Sequence, residues 1–337
     1  MYTYTFIIPH KNIPSLLKRC LNSIPSRTDV EIIVVDDNSN AEAIEELKKI
    51  SRDNIQIIYT KEGKGAGYAR NIGVNNAHGK WILFADADDF FLPDLLKKLD
   101  SYKDKNYSIV LFHSICRSSD NLEKKGNRQD LCDIFSSRLK AFQKGESSAL
   151  NLFLGLGVPW AKMIQLSFLQ KNCIKFEEVR YSNDIGWITQ IALKASNNDV
   201  TVSNEKLYCL TDREKSLYYT HDREAFYCRF GVRYRQHQLL KKNGIPSYFN
   251  FCPYVDEARK FGIPFLLNFY KYILQPEHHI PAIYKFEKFF HLKAPYFYLF
   301  FQLIKEFLIQ TKITALKIFK IRQNNNHIKK AHEFLTI

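Results

Sequence analysis

Short apolar runs alternate with amphipathic stretches along the first 112 residues. Tyr4 to Ile8 is an apolar run that stops at Pro9. Pro14 opens a helical pattern, with Leu16, Leu17, Cys20, Leu21 and Ile24 at helical spacing. The β-branched run Ile32-Ile33-Val34-Val35 predicts a second strand, which ends in Asp36-Asp37. Ile44, Leu47 and Ile50 mark a second helix, and Ile55 to Tyr59 a third strand. A glycine-rich loop, Gly63 to Gly67, leads into a third helix over 69–77. Gly79 closes that helix, and Trp81-Ile82-Leu83-Phe84 is the fourth strand. Near-continuous apolar strands between amphipathic helices predict an α/β fold with a mostly parallel sheet covered on both faces. In such sheets ligands bind beyond the carboxyl ends of the strands, so Pro9, Asp37 and Asp86 are expected on one rim.

Further on, the spacing predicts a helix from Pro93 to Tyr102 and a strand from Ser108 to Phe112. Residues 117–145 are polar, lack clear periodicity and read as a long loop or lid. Ordered signals return over 150–210, with a helix from Asn183 to Ala195 and strand-like runs near Val200 and Leu207. These shifts divide the chain into 1–115, 116–147, 148–225 and 226–337.

Composition narrows the class. The 337 residues are 45% hydrophobic and 25% charged, which describes a globular chain with a sizeable core. Lys and Arg number 49 against 35 Asp and Glu, a net charge of +14 that favours anionic partners. The seven cysteines are scattered and form no Cys-x-x-Cys pair, as expected of reduced thiols in the cytoplasm. Neither a leader peptide nor an apolar run of about 18 to 20 residues stands out.

The candidate chemistry is acidic. Asp86, Asp88 and Asp89 follow the fourth strand at once. Carboxylates this close repel one another unless a cation is present. Their oxygens suit Mg²⁺ or Mn²⁺, which take oxygen ligands and share substrate phosphates. A solvated turn whose last Asp caps the next helix is the plainer alternative. Asp37 can accept from a nucleobase N–H or from ribose hydroxyls, while Ser39 or Asn40 caps the following helix. The Gly-x-Gly-x-Gly loop lacks the dinucleotide-binding spacing and does not follow the first strand. Arg70, early in the next helix, can reach a diphosphate.

In order and spacing, Pro9-x-x-Asn12, Val35-Asp36-Asp37-Asn38-Ser39, Ala69-Arg70-Asn71-x-Gly73, Ala77-x-Gly79 and Asp86-x-Asp88-Asp89 resemble the family 2 glycosyltransferases over roughly residues 3–112. The resemblance implies a GT-A, Rossmann-like fold and an inverting transferase using a nucleoside-diphosphate sugar, usually UDP-linked, with Mn²⁺ or Mg²⁺. By position it implies a donor site of Pro9, His10, Asn12, Asp37, Arg70 and Asp86, with Asp88 and Asp86 on the metal. Lys11 stands where the family usually has an aromatic residue near the base, which leaves the base open. The family's Glu-Asp pair corresponds to Asn183-Asp184, making Asp184 the expected catalytic base. An Asp satisfying a helix dipole is the alternative. Pro159-Trp160-Ala161-Lys162 resembles the upstream Trp-x-Lys segment and places Trp160 on the acceptor side. Arg213 and Ser216 match an Arg-x-x-Ser segment expected at the donor phosphates, and His221 is a further candidate metal ligand.

The resemblance thus assigns 1–115 to the nucleotide sugar and 148–225 to the acceptor and base, with the polar stretch 116–147 between them as a loop or lid. Residues 226–337 form a helical, basic C-terminal extension. Residues 281–337 carry ten Lys or Arg against three Glu. There Phe300, Leu303, Ile304, Phe307 and Leu308 oppose Lys305, Lys312 and Lys320 on a helical projection. Such a helix binds an anionic membrane surface, where a lipid-linked acceptor would sit, or packs on the catalytic domain or a second subunit. The expected activity is transfer to a glycan or lipid-linked acceptor in surface polysaccharide synthesis, on the inner face of the membrane. Two other enzyme-like readings are a sugar nucleotidyltransferase, which needs a glycine- and arginine-rich loop after strand one, and a catalytically silent relative. Nucleic-acid binding is not expected, because the strand ends are acidic.

Overall fold

The computed structural model describes residues 1–214 and 216–273. Eight strands form one sheet: β1 (Tyr4–His10), β2 (Val30–Asp37), β3 (Ile55–Thr60), β4 (Trp81–Phe84), β5 (Phe90–Phe91), β6 (Ile109–Ser118), β7 (Lys162–Gln165) and β8 (Val200–Asp212). The helices are α1 (Pro14–Asn22), α2 (Ala41–Lys48), α3 (Ala66–Asn75), α4 (Leu95–Leu99), α5 (Gln129–Gln143), α6 (Ala149–Leu154), α7 (Leu166–Lys171), α8 (Asn183–Lys194), α9 (Arg223–Lys242), α10 (Cys252–Lys260) and α11 (Ile263–Ile273).

The strand order is β3-β2-β1-β4-β7-β6-β8-β5. The first four strands pair in parallel, as their double-sided burial requires: every residue of β1, β2 and β4 is buried. Beyond β4 the sheet is mixed. β7 runs antiparallel between β4 and β6, β6 and β8 are parallel, and β5 closes the far edge antiparallel to β8. The expectation of a mostly parallel sheet therefore holds for the nucleotide half and gives way to mixed pairing in the second.

Two expectations change. The stretch read as a loop or lid holds the 15-residue α5, which buries Cys132, Phe135 and Leu139 against the sheet. These positions do keep helical spacing, but charged and polar neighbours dilute it. The strand-like runs near Val200 and Leu207 are one strand, β8, whose register to β6 shifts at Phe112 to Ser114 and lets Asn204 to Lys206 bulge into solvent.

The chain divides into two compact units, Met1–Glu257 and Ala258–Ile337. In the first, α3 packs on β1 and β2, α5 on β6, and α8 lies between α6 and α9. The basic amphipathic pattern from Phe300 to Lys320 lies outside the described residues.

Candidate functional site

The parallel register aligns Ile7 with Phe84 and His10 with Asp36, so the loops after β1, β2 and β4 emerge on one rim. Pro9 is buried within β1. His10 is buried too, and both its ring nitrogens are engaged: Nδ1 faces Asp36 Oδ1 at 2.8 Å and Nε2 accepts from the Ile13 amide at 3.2 Å. Asn12, at φ +55°, accepts from the Asn40 amide through its side chain and donates its own amide to Ser39 Oγ. His10 and Asn12, expected to bind donor directly, thus lock the first two loops together. Burial pushes the Asp36 carboxyl up, but hydrogen bonds from His10 and Ser39 outweigh it and hold the carboxyl below its usual range.

Asp37 is different. It is 4% exposed, and its Oδ2 accepts from the Gly65 amide at 2.9 Å with Lys11 Nζ at 3.6 Å. Its Oδ1 is buried with no hydrogen-bond partner. A buried carboxylate oxygen without a partner is costly, and this one can accept from an N–H or a hydroxyl.

In the acidic turn the three aspartates have separate roles. Asp89 is 1% exposed and accepts from Tyr208 Oη at 2.6 Å and from the Thr211 amide at 2.7 Å. Burial, with Asp88 and Asp86 adjacent, raises its carboxyl well above the usual range. Tyr208 also accepts the Asp86 amide, and its ring stacks on Trp160 at 5.3 Å. Asp89 therefore pins the turn to β8. Asp86 and Asp88 keep 32% and 16% of their side-chain area open to solvent. Asp86 Oδ1 accepts from Arg70 Nη2 at 2.5 Å, and Asp88 Oδ2 from Arg213 Nε at 2.6 Å. Each guanidinium occupies one carboxylate oxygen.

Arg70, 5% exposed, also donates from Nη1 to Asn183 Oδ1 at 2.8 Å, and its Nε is buried without a partner. It thus joins the acidic turn to the start of α8. The glycine loop completes the junction. A Cβ at Gly67 would lie 2.2 Å from the Glu177 carbonyl and 2.9 Å from Asn183 Cβ, so only glycine lets α3 approach the 177–183 loop this closely. Asp184 follows Asn183 in the first turn of α8. Burial pushes its carboxyl up to about 6; Arg70 and Arg233 act downward and Asp86 upward. It keeps partial solvent exposure.

The remaining expected residues sit apart from that junction in part. Trp160 is 3% exposed and wedged between Phe135 and Tyr208, so it is a core residue supporting the turn and not an acceptor surface. Ser216 caps the turn Leu217–Tyr219 by accepting from the Tyr218 amide. His221 is exposed and faces Glu257 at 3.6 Å. Among the described residues no three His, Cys, Asp or Glu side chains cluster as a metal site. Tyr208 and Thr211 carried no local signal: they reach Asp89 from about 120 residues away, at separations of 119 and 122. No described helix is long and apolar enough to cross a membrane.

Comparison with known proteins agrees with this geometry. Residues 5–171 match the model of Glycosyl transferase family 2. The glycosyltransferase GlyA of Streptococcus pneumoniae is 37% identical over 106 residues, covering 29% of this chain and 15% of GlyA. The poly(ribitol-phosphate) beta-N-acetylglucosaminyltransferase TarS of Staphylococcus aureus is 25% identical over 221 residues, covering 64% of this chain and 36% of TarS. The chain therefore spans a minor part of each relative's length. The crystal structure of S. aureus TarS 1–349 in complex with UDP-GlcNAc superposes with a TM-score of 0.55 at 20% identity, over 77% of this chain and 71% of that one. At that identity the likeness is one of fold, the GT-A sheet and its flanking helices. With the motifs, the rim they build and the matched family model in agreement, residues 5–171 form a glycosyl transferase family 2 domain.

Proposed function

We propose that this chain is an inverting glycosyltransferase that moves a sugar from a nucleoside-diphosphate donor to an acceptor hydroxyl, with Asp184 as base. The reading rests on one observation: Arg70 bridges Asp86 and Asn183, and so ties the acidic turn to the residue beside Asp184. The base of the donor would meet the orphaned oxygen of Asp37. UDP is the favoured nucleotide, supported by the UDP-GlcNAc complex of TarS. The diphosphate would lie toward Arg70 and Arg213, whose planar guanidinium groups suit phosphate oxygens. Asp184 would take the proton of the acceptor hydroxyl as its oxygen attacks the anomeric carbon, and the diphosphate would leave from the opposite face. A carboxyl pushed up to about 6 is a stronger base than an ordinary aspartate and is still ionised at neutral pH.

Asp86 and Asp88 fit a divalent cation. They offer hard oxygen donors, one oxygen of each outside its arginine contact, and Mg²⁺ or Mn²⁺ commonly completes such a shell with phosphate and water. A bound cation would neutralise charge on the leaving diphosphate.

The acceptor of this reading is a glycan or lipid-linked polymer of the cell surface, in line with TarS and with a poly(ribitol-phosphate) beta-glucosyltransferase of Bacillus spizizenii that is 32% identical over 113 residues. The net charge of +14 and the basic segment 281–337 suit an anionic acceptor or membrane face.

The test is incubation with a panel of nucleotide sugars and Mn²⁺ or Mg²⁺, following binding and slow release of the nucleoside diphosphate. Binding of a nucleotide sugar supports the reading. Failure to bind any, with or without metal, overturns it.

A further inference from the structure

The acidic turn is held from behind by a cation that no motif marks. Arg19 on α1 and Ser23 at its C-terminal cap stand four residues apart, so they share one face of the helix. Arg19 Nη2 donates to the main-chain carbonyl of Asp88 at 2.5 Å and to Thr211 Oγ1 at 3.2 Å, while the Thr211 hydroxyl donates to the same carbonyl. Arg19 Nη1 reaches the Ser119 carbonyl at 3.4 Å, and the guanidinium lies 5.5 Å from the centre of the Phe90 ring. Ser23 Oγ accepts from the Phe91 amide at 2.9 Å. One helix face thus grips the stretch from Asp88 to Phe91 at both ends. The grip fixes a peptide plane. The carbonyl of Asp88 and the amide of Asp89 belong to one planar unit. Arg19 and Thr211 hold its oxygen, and its N–H donates to the Asp86 carbonyl at 3.0 Å. Arg213 acts on the Asp88 carboxylate and Arg19 on its backbone, so two guanidinium groups fix different parts of one residue.

We propose that Arg19 is a positioning residue for the divalent cation, which fixes the Asp88–Asp89 peptide from α1 and so presets the Asp88 carboxylate for metal. The inference rests on Asp86 and Asp88 being the metal ligands. A hard cation such as Mg²⁺ demands near-ideal ligand geometry, so a carboxylate on a loosened turn holds it less well. Neighbouring carboxylates also repel one another before the cation arrives, and a turn free to rearrange would let them move apart. A lysine at this place could not reproduce the contact. One guanidinium plane meets the Asp88 carbonyl and Thr211 through Nη2, Ser119 through Nη1, and Phe90 through its face. The helix that carries Arg19 begins directly after the loop of His10 and Asn12, so the element leaving the donor rim is also the splint of the acidic turn.

The test titrates Mn²⁺ into the full chain with saturating UDP and follows the free ion by electron paramagnetic resonance. UDP binding without metal is measured beside it. Arg19→Met should weaken Mn²⁺ binding about 10- to 100-fold and leave metal-free UDP affinity within about twofold. Arg19→Lys keeps the charge without the planar fork and should recover only part of that loss. Arg52→Met controls for a purely structural effect. It removes a guanidinium that donates to the Leu21 and Ile24 carbonyls at the end of α1, each at 3.0 Å. This variant should lower the melting temperature and leave Mn²⁺ affinity unmoved. Unchanged Mn²⁺ affinity in folded Arg19→Met, or an equal loss in Arg52→Met, overturns the proposal. If Arg19→Met does not fold, Arg19→Lys decides, and native Mn²⁺ affinity there overturns the proposal as well. No Mn²⁺ bound by the unmodified protein, or native affinity kept in Asp88→Ala, removes the metal reading and the role of Arg19 with it. Loss in Asp88→Ala with none in Arg19→Met removes the role of Arg19 alone.

Discussion

Arg70 Nη1 donates to Asn183 Oδ1 at 2.8 Å across 113 residues of chain. The same guanidinium holds Asp86 at 2.5 Å, so one buried side chain connects the donor rim to the helix that carries Asp184. The neutral amide of Asn183 accepts from the guanidinium without neutralising it, which leaves the charge of Arg70 to Asp86.

Asn183→Leu removes this acceptor and strands a buried guanidinium hydrogen. We expect a loss of about 1–3 kcal/mol in folding free energy and a rise in donor KM. Urea unfolding and steady-state kinetics measure the two. Unchanged values of both would show that the bridge carries no energy.

Asp184→Asn keeps the shape of the side chain and removes the base. Transfer should fall about 10²- to 10⁴-fold, while donor affinity by calorimetry stays near that of the native protein. Full transfer in this variant would exclude Asp184 as base.

The pH dependence has a definite sign. The Asp184 carboxyl is raised to about 6, and a base acts only when ionised. Activity should therefore rise with pH through about 6 and level off above it. The same shift acts on folding: the native state holds this proton more tightly than the unfolded chain, so the stability it contributes at low pH is lost as pH rises through about 6. A rate profile flat across that point would contradict the assignment.

Asp88→Ala should abolish metal-dependent donor binding and spare the fold, because the side chain is partly open and its described partner, Arg213, lies at the rim. Binding isotherms with and without Mn²⁺ decide it, and metal-stimulated binding retained in the variant would remove Asp88 from the metal site.

Tyr208→Phe should do the reverse. It deletes the hydroxyl that donates to Asp89 and accepts from the Asp86 amide, both deep in the protein. The expected cost is about 1–3 kcal/mol of stability, read by thermal or urea unfolding, and Trp160 should become more solvent-exposed by fluorescence. An unaltered melting curve would mean that the turn is held without Tyr208.

Strands β1, β2 and β4 of the nucleotide half were legible because each is buried on both faces, which turns a tertiary fact into a local run such as Ile32 to Val35. Asp37, Arg70, Asp86 and Asp184 were legible because short motifs set their spacing, and the fold does bring Arg70, Asp86 and Asp184 together. β5 has two residues, too few to form a pattern. α5 hid its buried face, Cys132, Phe135 and Leu139, among charged neighbours.

His10 and Trp160 mark the limit of motif reading. Both adjoin the site in sequence, yet His10 turns inward to Asp36 and Trp160 to Tyr208, because an aromatic ring is stabilised by whatever surface is available to bury it. Local residue order determined the alternating strands and helices and the rim on which the loops emerge. The tertiary structure decided which acidic group faces solvent, which is sealed, and which cation stands beside it. Burial and charge act through space, so Asp89, Lys162 and Asp184 acquire their properties from residues that the chain sequence does not place next to them.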